Sequence, residues 1–143
     1  MNTITLSKEV VKAIAKNEYY NEEQFINDAK KWVEAIKQGR VICTVASVSK
    51  SGMSRKLKFL SCEPSKYNNE NGEEIRYNYR QYNVMLECLG FKFSRDSWAI
   101  TVNGCGMDMI FHTNYTIMHN FKSMGIITKE ECESLAQMTP TNF

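Results

Sequence analysis

A chain of 143 residues suits one domain, and at this length it can bury a core without disulfide staples. With 43% hydrophobic residues it is an ordinary globular sequence, and a net charge of +2 gives no argument from charge alone for bulk nucleic-acid binding. The five cysteines, Cys43, Cys62, Cys88, Cys105 and Cys132, include no C-x-x-C pair, so neither a zinc ribbon nor a dithiol redox motif is indicated. Met1 to Thr5 carries no basic, signal-like start, and no stretch approaches 18 apolar residues. The expectation is a soluble protein of a reducing compartment with free thiols and no membrane partner.

Ser7 is placed to cap a short helix carrying Val10, Val11 and Ile14. Asn21 followed by Gln24 resembles a capping box, and Phe25, Ala29, Trp32, Val33 and Ile36 then repeat at helical spacing until Gly39. From Arg40 the composition changes. Val41 to Val48 is β-branched and reads as a buried strand, while Lys56 to Leu60 alternates as a half-exposed strand should. Residues 63–73 are the most loop-like of the chain. Ile75 to Arg80 alternates again, with Ile75, Tyr77 and Tyr79 on one face and Arg76, Asn78 and Arg80 on the other. Gln81 to Leu89 reads as a short helix ended by Gly90, and Trp98 to Val102 as the last strand. A helix through Phe121 follows, with Ile110, Phe111, Tyr115, Met118 and Phe121 on one stripe; Gly125 ends it. Thr128 and Glu131 box the start of a final helix.

The elements sum to an α+β fold in a single domain, 1–143. Residues 1–39 form a helical part, 40–102 a mainly antiparallel sheet with an inserted loop at 62–73, and 103–143 a glycine-bearing loop with C-terminal helices. Helices and strands are segregated rather than alternating, which argues against a doubly wound fold.

Two glycine-bearing stretches interrupt this pattern: Ser49-Lys50-Ser51-Gly52-Met53-Ser54-Arg55 and Asn103-Gly104-Cys105-Gly106-Met107-Asp108-Met109. Neither is a dinucleotide or NTPase loop by spacing. Glycine lets backbone N–H groups approach a ligand, hydroxyls add donors, and the Arg55 fork suits a phosphate; the plain alternative is two tight turns with polar caps. Asp108 at a helix start fits a capping role better than catalysis. Asp108, His112 and His119 share a helix face but lack further ligands at metal spacing. Cys105 has no base near it in sequence. Phe93, Trp98, Tyr77 and Tyr79 read as cross-strand packing or, beside Arg76 and Arg80, as surfaces on which a base could stack.

Ser51-Gly52-Met53-Ser54-Arg55, then Gly104-Cys105-Gly106-Met107-Asp108-Met109 with Phe111 and Tyr115 beyond, resembles a pattern in small phage-encoded proteins. The size, the two leading helices and the Asn/Lys/Ile-rich composition are similar to the first Thoeris anti-defence family from phages of clostridia. The likeness covers residues 40–121 at motif level. It implies a non-catalytic sponge in the host bacterial cytoplasm that binds a cyclic ADP-ribose isomer made by a defence TIR enzyme and holds it intact. Some members also sequester cyclic oligonucleotides at separate sites of a homo-oligomer. Family pockets lie at protomer interfaces, with aromatic stacking on the base and polar groups on the phosphates; the resemblance implies Phe93, Trp98 and Asn103 as counterparts of the base-contacting groups. No arginine follows Arg95, so any arginine contact from the C-terminal helices is absent here or is replaced by Lys122 or Lys129.

The expected ligand site is therefore Ser51, Gly52, Met53, Ser54, Arg55, Phe93, Trp98, Asn103, Gly104, Cys105, Gly106, Met107 and Asp108. No catalytic residue, metal or cofactor is expected. The expected partners are the small cyclic nucleotide and further copies of the chain, because Trp32, Val33, Tyr115, Met118 and Phe121 are a heavy apolar load for a small protein. The alternatives are a small phage enzyme using Cys105 or His112 on a nucleotide, and an inhibitor that binds a protein partner without a small ligand.

Overall fold

The computed structural model describes residues 3–64, 77–104 and 109–142. Helix α1 (Lys8–Ala15) begins where Ser7 accepts a hydrogen bond from the Val10 N–H at 3.3 Å, and it buries Val10 and Ile14 while Val11 faces out. Helix α2 (Glu22–Lys37) opens on a full capping box: Asn21 accepts from the Gln24 N–H at 2.8 Å, and Gln24 accepts from the Asn21 N–H at 2.9 Å. Phe25, Ala29, Trp32, Val33 and Ile36, the predicted stripe, are all buried.

Strands β1 (Val41–Val48) and β2 (Ser54–Pro64) form an antiparallel hairpin, with a bulge between Val45 and Ser47. Strand β3 (Tyr77–Gln81) pairs with β2, and helix α3 (Asn83–Cys88) follows. Strand β4 (Lys92–Ser94) and strand β5 (Ala99–Asn103) form a second hairpin, and β5 pairs with the start of β2. Helices α4 (Met109–Ser123) and α5 (Lys129–Leu135) lead to a two-residue strand β6 (Thr141–Asn142), parallel to Ile42 and Cys43 of β1. The predicted capping box of α5 is present, Thr128 with Glu131. The sheet order is β4-β5-β2-β1-β6, with β3 beside β2, so the fold is α+β with helices at both ends of the chain. The expected loop at 62–73 lies outside the described residues beyond Pro64, and β2 itself runs to Pro64.

Register sorts the strands into two faces, because directly paired residues share one. Val41 with Ser61, Cys43 with Phe59, and Leu57 with Ile100 lie on the inner face. All five helices join these side chains in one core. Trp32 stands edge-on to Phe59 and to Tyr82, with centroids 5.4 and 5.1 Å apart. The predicted burial of β1 holds for Val41 and Cys43 only; from Val45 to Val48 the strand is exposed.

Arg80 turns inward. It pairs with Asp28 of α2, whose second carboxylate oxygen accepts from the Tyr20 hydroxyl at 2.6 Å, so this arginine is committed to holding α2 on β3. Burial and the Asp28 contact both push the Tyr20 phenol well above its ordinary value. Burial likewise raises the thiols of Cys43, to about 12, and Cys88, to about 11. These groups stay protonated in the folded chain at a pH where the unfolded chain ionises. Their contribution is complete below about pH 9 and is lost as pH rises toward the raised values, by about 1.4 kcal/mol per pH unit for each thiol. Thermal melts should therefore fall steeply between about pH 9 and 11, and Cys43→Ala should flatten the fall. A profile level across that range would contradict the burial of both thiols.

Candidate functional site

Strand pairing brings the two glycine-bearing stretches together. Ser54 pairs with Asn103, and the Ser54 hydroxyl donates to the Asn103 Oδ1 at 3.2 Å. The Gly104 N–H donates to the Met53 carbonyl at 2.6 Å, extending the ladder by one step. Arg55 then reaches along the same edge and donates from Nη1 to the Gly104 carbonyl at 3.0 Å.

The first turn is closed from inside. The Gly52 N–H donates to the Ser49 carbonyl at 2.9 Å, and Gly52 adopts φ +74, a region that a side chain rarely tolerates. The Ser49 hydroxyl accepts from the Ser54 N–H at 3.1 Å, and the Ser51 hydroxyl accepts from the Met53 N–H at 3.4 Å. The N–H groups of Gly52, Met53, Ser54 and Gly104 are thus spent within the protein. The expected cradle of free backbone donors at these four positions is not what the turns form. Gly104 itself is at φ +128, and a Cβ there would stand 2.5 Å from the Met109 Sδ, so this position is built for glycine.

What the arrangement leaves for a ligand is the side chain of Arg55. It shares the inner face with Val102 and Leu57 and is half-buried, beside the exposed end of β1. Its strand partner Val48 is 51% exposed, and Met53 on the turn is 59% exposed. Among the described residues only one of its N–H groups has a partner, and a guanidinium has five to offer. A half-buried cation bordered by exposed apolar side chains can take an anion that also carries a flat or apolar part.

Phe93 and Trp98 lie elsewhere. Phe93 pairs with Ile100, and Trp98 stands in the β4–β5 turn, edge-on to Phe93 at 6.3 Å. From Trp98 to Asn103 is five residues of extended chain, roughly 17 Å. One protomer therefore does not set these rings beside the glycine turns. Trp98 was expected to begin a strand; it adopts φ +53 and is 58% exposed. A bulky residue held in the left-handed region is strained, and strain of this kind collects at binding sites.

Cys105, Gly106, Met107 and Asp108 lie outside the described residues. His112 is exposed on α4, and His119 stacks on Tyr115 with centroids 4.1 Å apart. Of the residues expected to mediate association, Trp32, Val33, Met118 and Phe121 are buried in the protomer's own core; Tyr115 is 46% exposed, next to Phe111. Sequence reading did not single out Asp28 or Val48. Asp28 has a signal in retrospect, since a carboxylate beside the buried positions Phe25 and Ala29 calls for a cationic partner. A cleft of about 850 Å³ between α1, the link to α2 and α3 includes Lys12, Lys16 and Arg95 against Glu9, Glu18 and Glu87, and none of its lining residues belongs to either turn.

The chain matches no family model, no curated protein and no solved structure. No helix among the described residues is long and apolar enough to cross a membrane.

Proposed function

We propose that the protein binds a phosphate-bearing cyclic nucleotide signal, a cyclic ADP-ribose isomer in the first instance, and sequesters it without cleaving it, acting as a phage anti-defence protein in the host cytoplasm. The observation that supports this reading is the meeting of the two glycine-bearing stretches at Arg55, which leaves a guanidinium at the rim of the core with apolar neighbours. The first motif thus meets the described start of the second, Gly104, although Arg55 and Gly104 are 49 residues apart in sequence. In this reading Arg55 meets the phosphates, and the stacking ring comes from the Phe93–Trp98 corner of a second protomer, since the protomer's own corner is a strand's length away.

The test is sequestration followed by release. The protein is incubated with the TIR-derived cyclic ADP-ribose isomer, the free ligand is assayed by receptor activation, and the complex is then denatured by heat. Suppressed activity that returns in full with unchanged ligand mass supports the proposal. A linear product would mark an enzyme, and activity never suppressed would leave an inhibitor without a small ligand.

The site so drawn requires at least a dimer. Light scattering at micromolar concentration should exceed the 16.5 kDa of one chain. A clean monomer that nonetheless binds the nucleotide would remove the second protomer from the site.

A further inference from the structure

We propose that the sheet face covered by none of the described helices is a docking surface for single-stranded nucleic acid. The five helices among the described residues pack on the inner face, and the strand register leaves a second row of side chains pointing the other way. Down β2 this outer row reads Ser54, Lys56, Lys58, Leu60 and Cys62. Thr101 stands opposite Lys56, and Lys92 opposite Thr101; Thr44 faces Lys58, and Tyr79 faces Cys62. The row therefore holds three lysines, and among the described residues it holds no carboxylate.

Nine of the 16 acidic side chains are on helices. Glu22, Glu23, Asp28 and Glu34 are on α2, Glu130, Glu131 and Glu133 on α5, Glu87 on α3 and Glu9 on α1. The two ion pairs among the described residues, Lys37 with Glu131 and Arg80 with Asp28, do not involve the three lysines. Lys56 is steadied by a neutral hydroxyl, donating to Ser94 Oγ at 3.2 Å, which fixes its place without cancelling its charge. The overall charge of +2 does not show this local arrangement: the outer row is cationic, while the helices carry nine carboxylates and seven lysines.

The spacing suits an extended polyanion. Lys56 and Lys58 are two residues apart on one strand, roughly 7 Å, and Lys92 is two strands from Lys56, roughly 10 Å. Tyr79 is 59% exposed on the same face and offers a ring for a base beyond the lysines. Hydroxyl and amide side chains, Ser54, Thr101 and Asn103, border the row and can bond to phosphate or sugar oxygens. A bilayer is the weaker fit. Among the described residues, Tyr79 is the one exposed large apolar side chain that the register assigns to this face, so little would enter an acyl layer.

This surface is separate from the inner-face position of Arg55, and its test does not depend on the sequestration reading. Fluorescence anisotropy of a short labelled oligothymidylate is followed as salt is raised from about 50 to 200 mM. Three phosphate contacts predict a slope of about −2 in log affinity against log salt, a loss of roughly twentyfold over that range. Lys56→Gln, Lys58→Gln and Lys92→Gln should each bring the slope about 0.7 closer to zero, with melting curves unchanged, while Lys58→Arg keeps it. Arg55→Ala should leave oligonucleotide binding intact. The proposal is overturned if the unaltered protein gives no signal at low salt, or if the triple glutamine variant binds as well as the parent. It is also overturned if Arg55→Ala abolishes binding, or if phosphatidylserine vesicles bind more tightly than the oligonucleotide through the same lysines.

Discussion

Trp32→Ala should lower the stability of the protein by about 3–5 kcal/mol, a large share of the 5–15 kcal/mol typical of a domain. Trp32 is fully buried at the centre of α2 and touches Phe59 of β2 and Tyr82 at the entrance to α3. Three separately formed elements therefore lose their common contact when the indole is removed, and the cavity left by so large a side chain cannot close by local adjustment. The urea midpoint should fall by roughly 2 M with an unchanged slope. Trp32→Phe is the informative partner variant. The indole N–H has no hydrogen-bond partner among the described residues, so phenylalanine removes an uncompensated polar group and leaves a smaller cavity than alanine does. Its cost should be well under half that of alanine. A loss below about 1 kcal/mol for Trp32→Ala would contradict the packing of α2 on the sheet.

Arg55→Ala should weaken binding of the cyclic ADP-ribose isomer by about 1.5–3 kcal/mol, roughly ten- to a hundredfold. In the proposed site the guanidinium would meet the phosphates in a partly desolvated setting, and among the described residues no other cationic side chain is bonded at the junction of the two turns. Because Arg55 also holds the Gly104 carbonyl, its removal loosens the second turn as well as deleting a charge. Arg55→Lys separates the two effects. Lysine keeps the charge but cannot bond the carbonyl and a phosphate in one plane, so it should recover part of the affinity and not all of it. Calorimetry on variants with parental melting curves decides the matter. Unchanged affinity for Arg55→Ala would take Arg55 out of the site.

The parts of the fold that were legible in the sequence are those set by local chemistry. Ser7, the Asn21–Gln24 pair and the Thr128–Glu131 pair each satisfy N–H groups within four residues of themselves, and all three mark true helix starts. Strands β4 and β6 were not legible. At three and two residues they are too short for alternation to show, and they exist because a neighbouring strand offers its edge. Alternation in β3 separated Arg80 from Tyr79 correctly but could not say which side was inner. Hydrophobicity favours the tyrosine, and Asp28, arriving from α2, reverses the choice. The candidate site was half legible for a similar reason. Each glycine stretch announced a turn, but that Arg55 bonds the Gly104 carbonyl is a property of register between strands 49 residues apart. Trp98 and Asn103 were expected in one site, but they flank the two ends of the same strand, so one protomer does not bring them together.

The join between the two stretches has a consequence for exchange of amide hydrogens. Met53 with Gly104 is the last rung of the β2–β5 ladder, and terminal rungs open more readily than central ones. In the free protein the Gly104 amide should exchange with solvent deuterium early, well before Leu57 or Ile100 in the middle of the sheet. A ligand gripping Arg55 binds only while that rung is shut, so every opening must first release it. At a ligand concentration a thousandfold above its dissociation constant this adds about 4 kcal/mol to the cost of opening. In the proposed complex an early-exchanging terminal rung would thus be protected by about a thousandfold, and Gly104 would report occupancy.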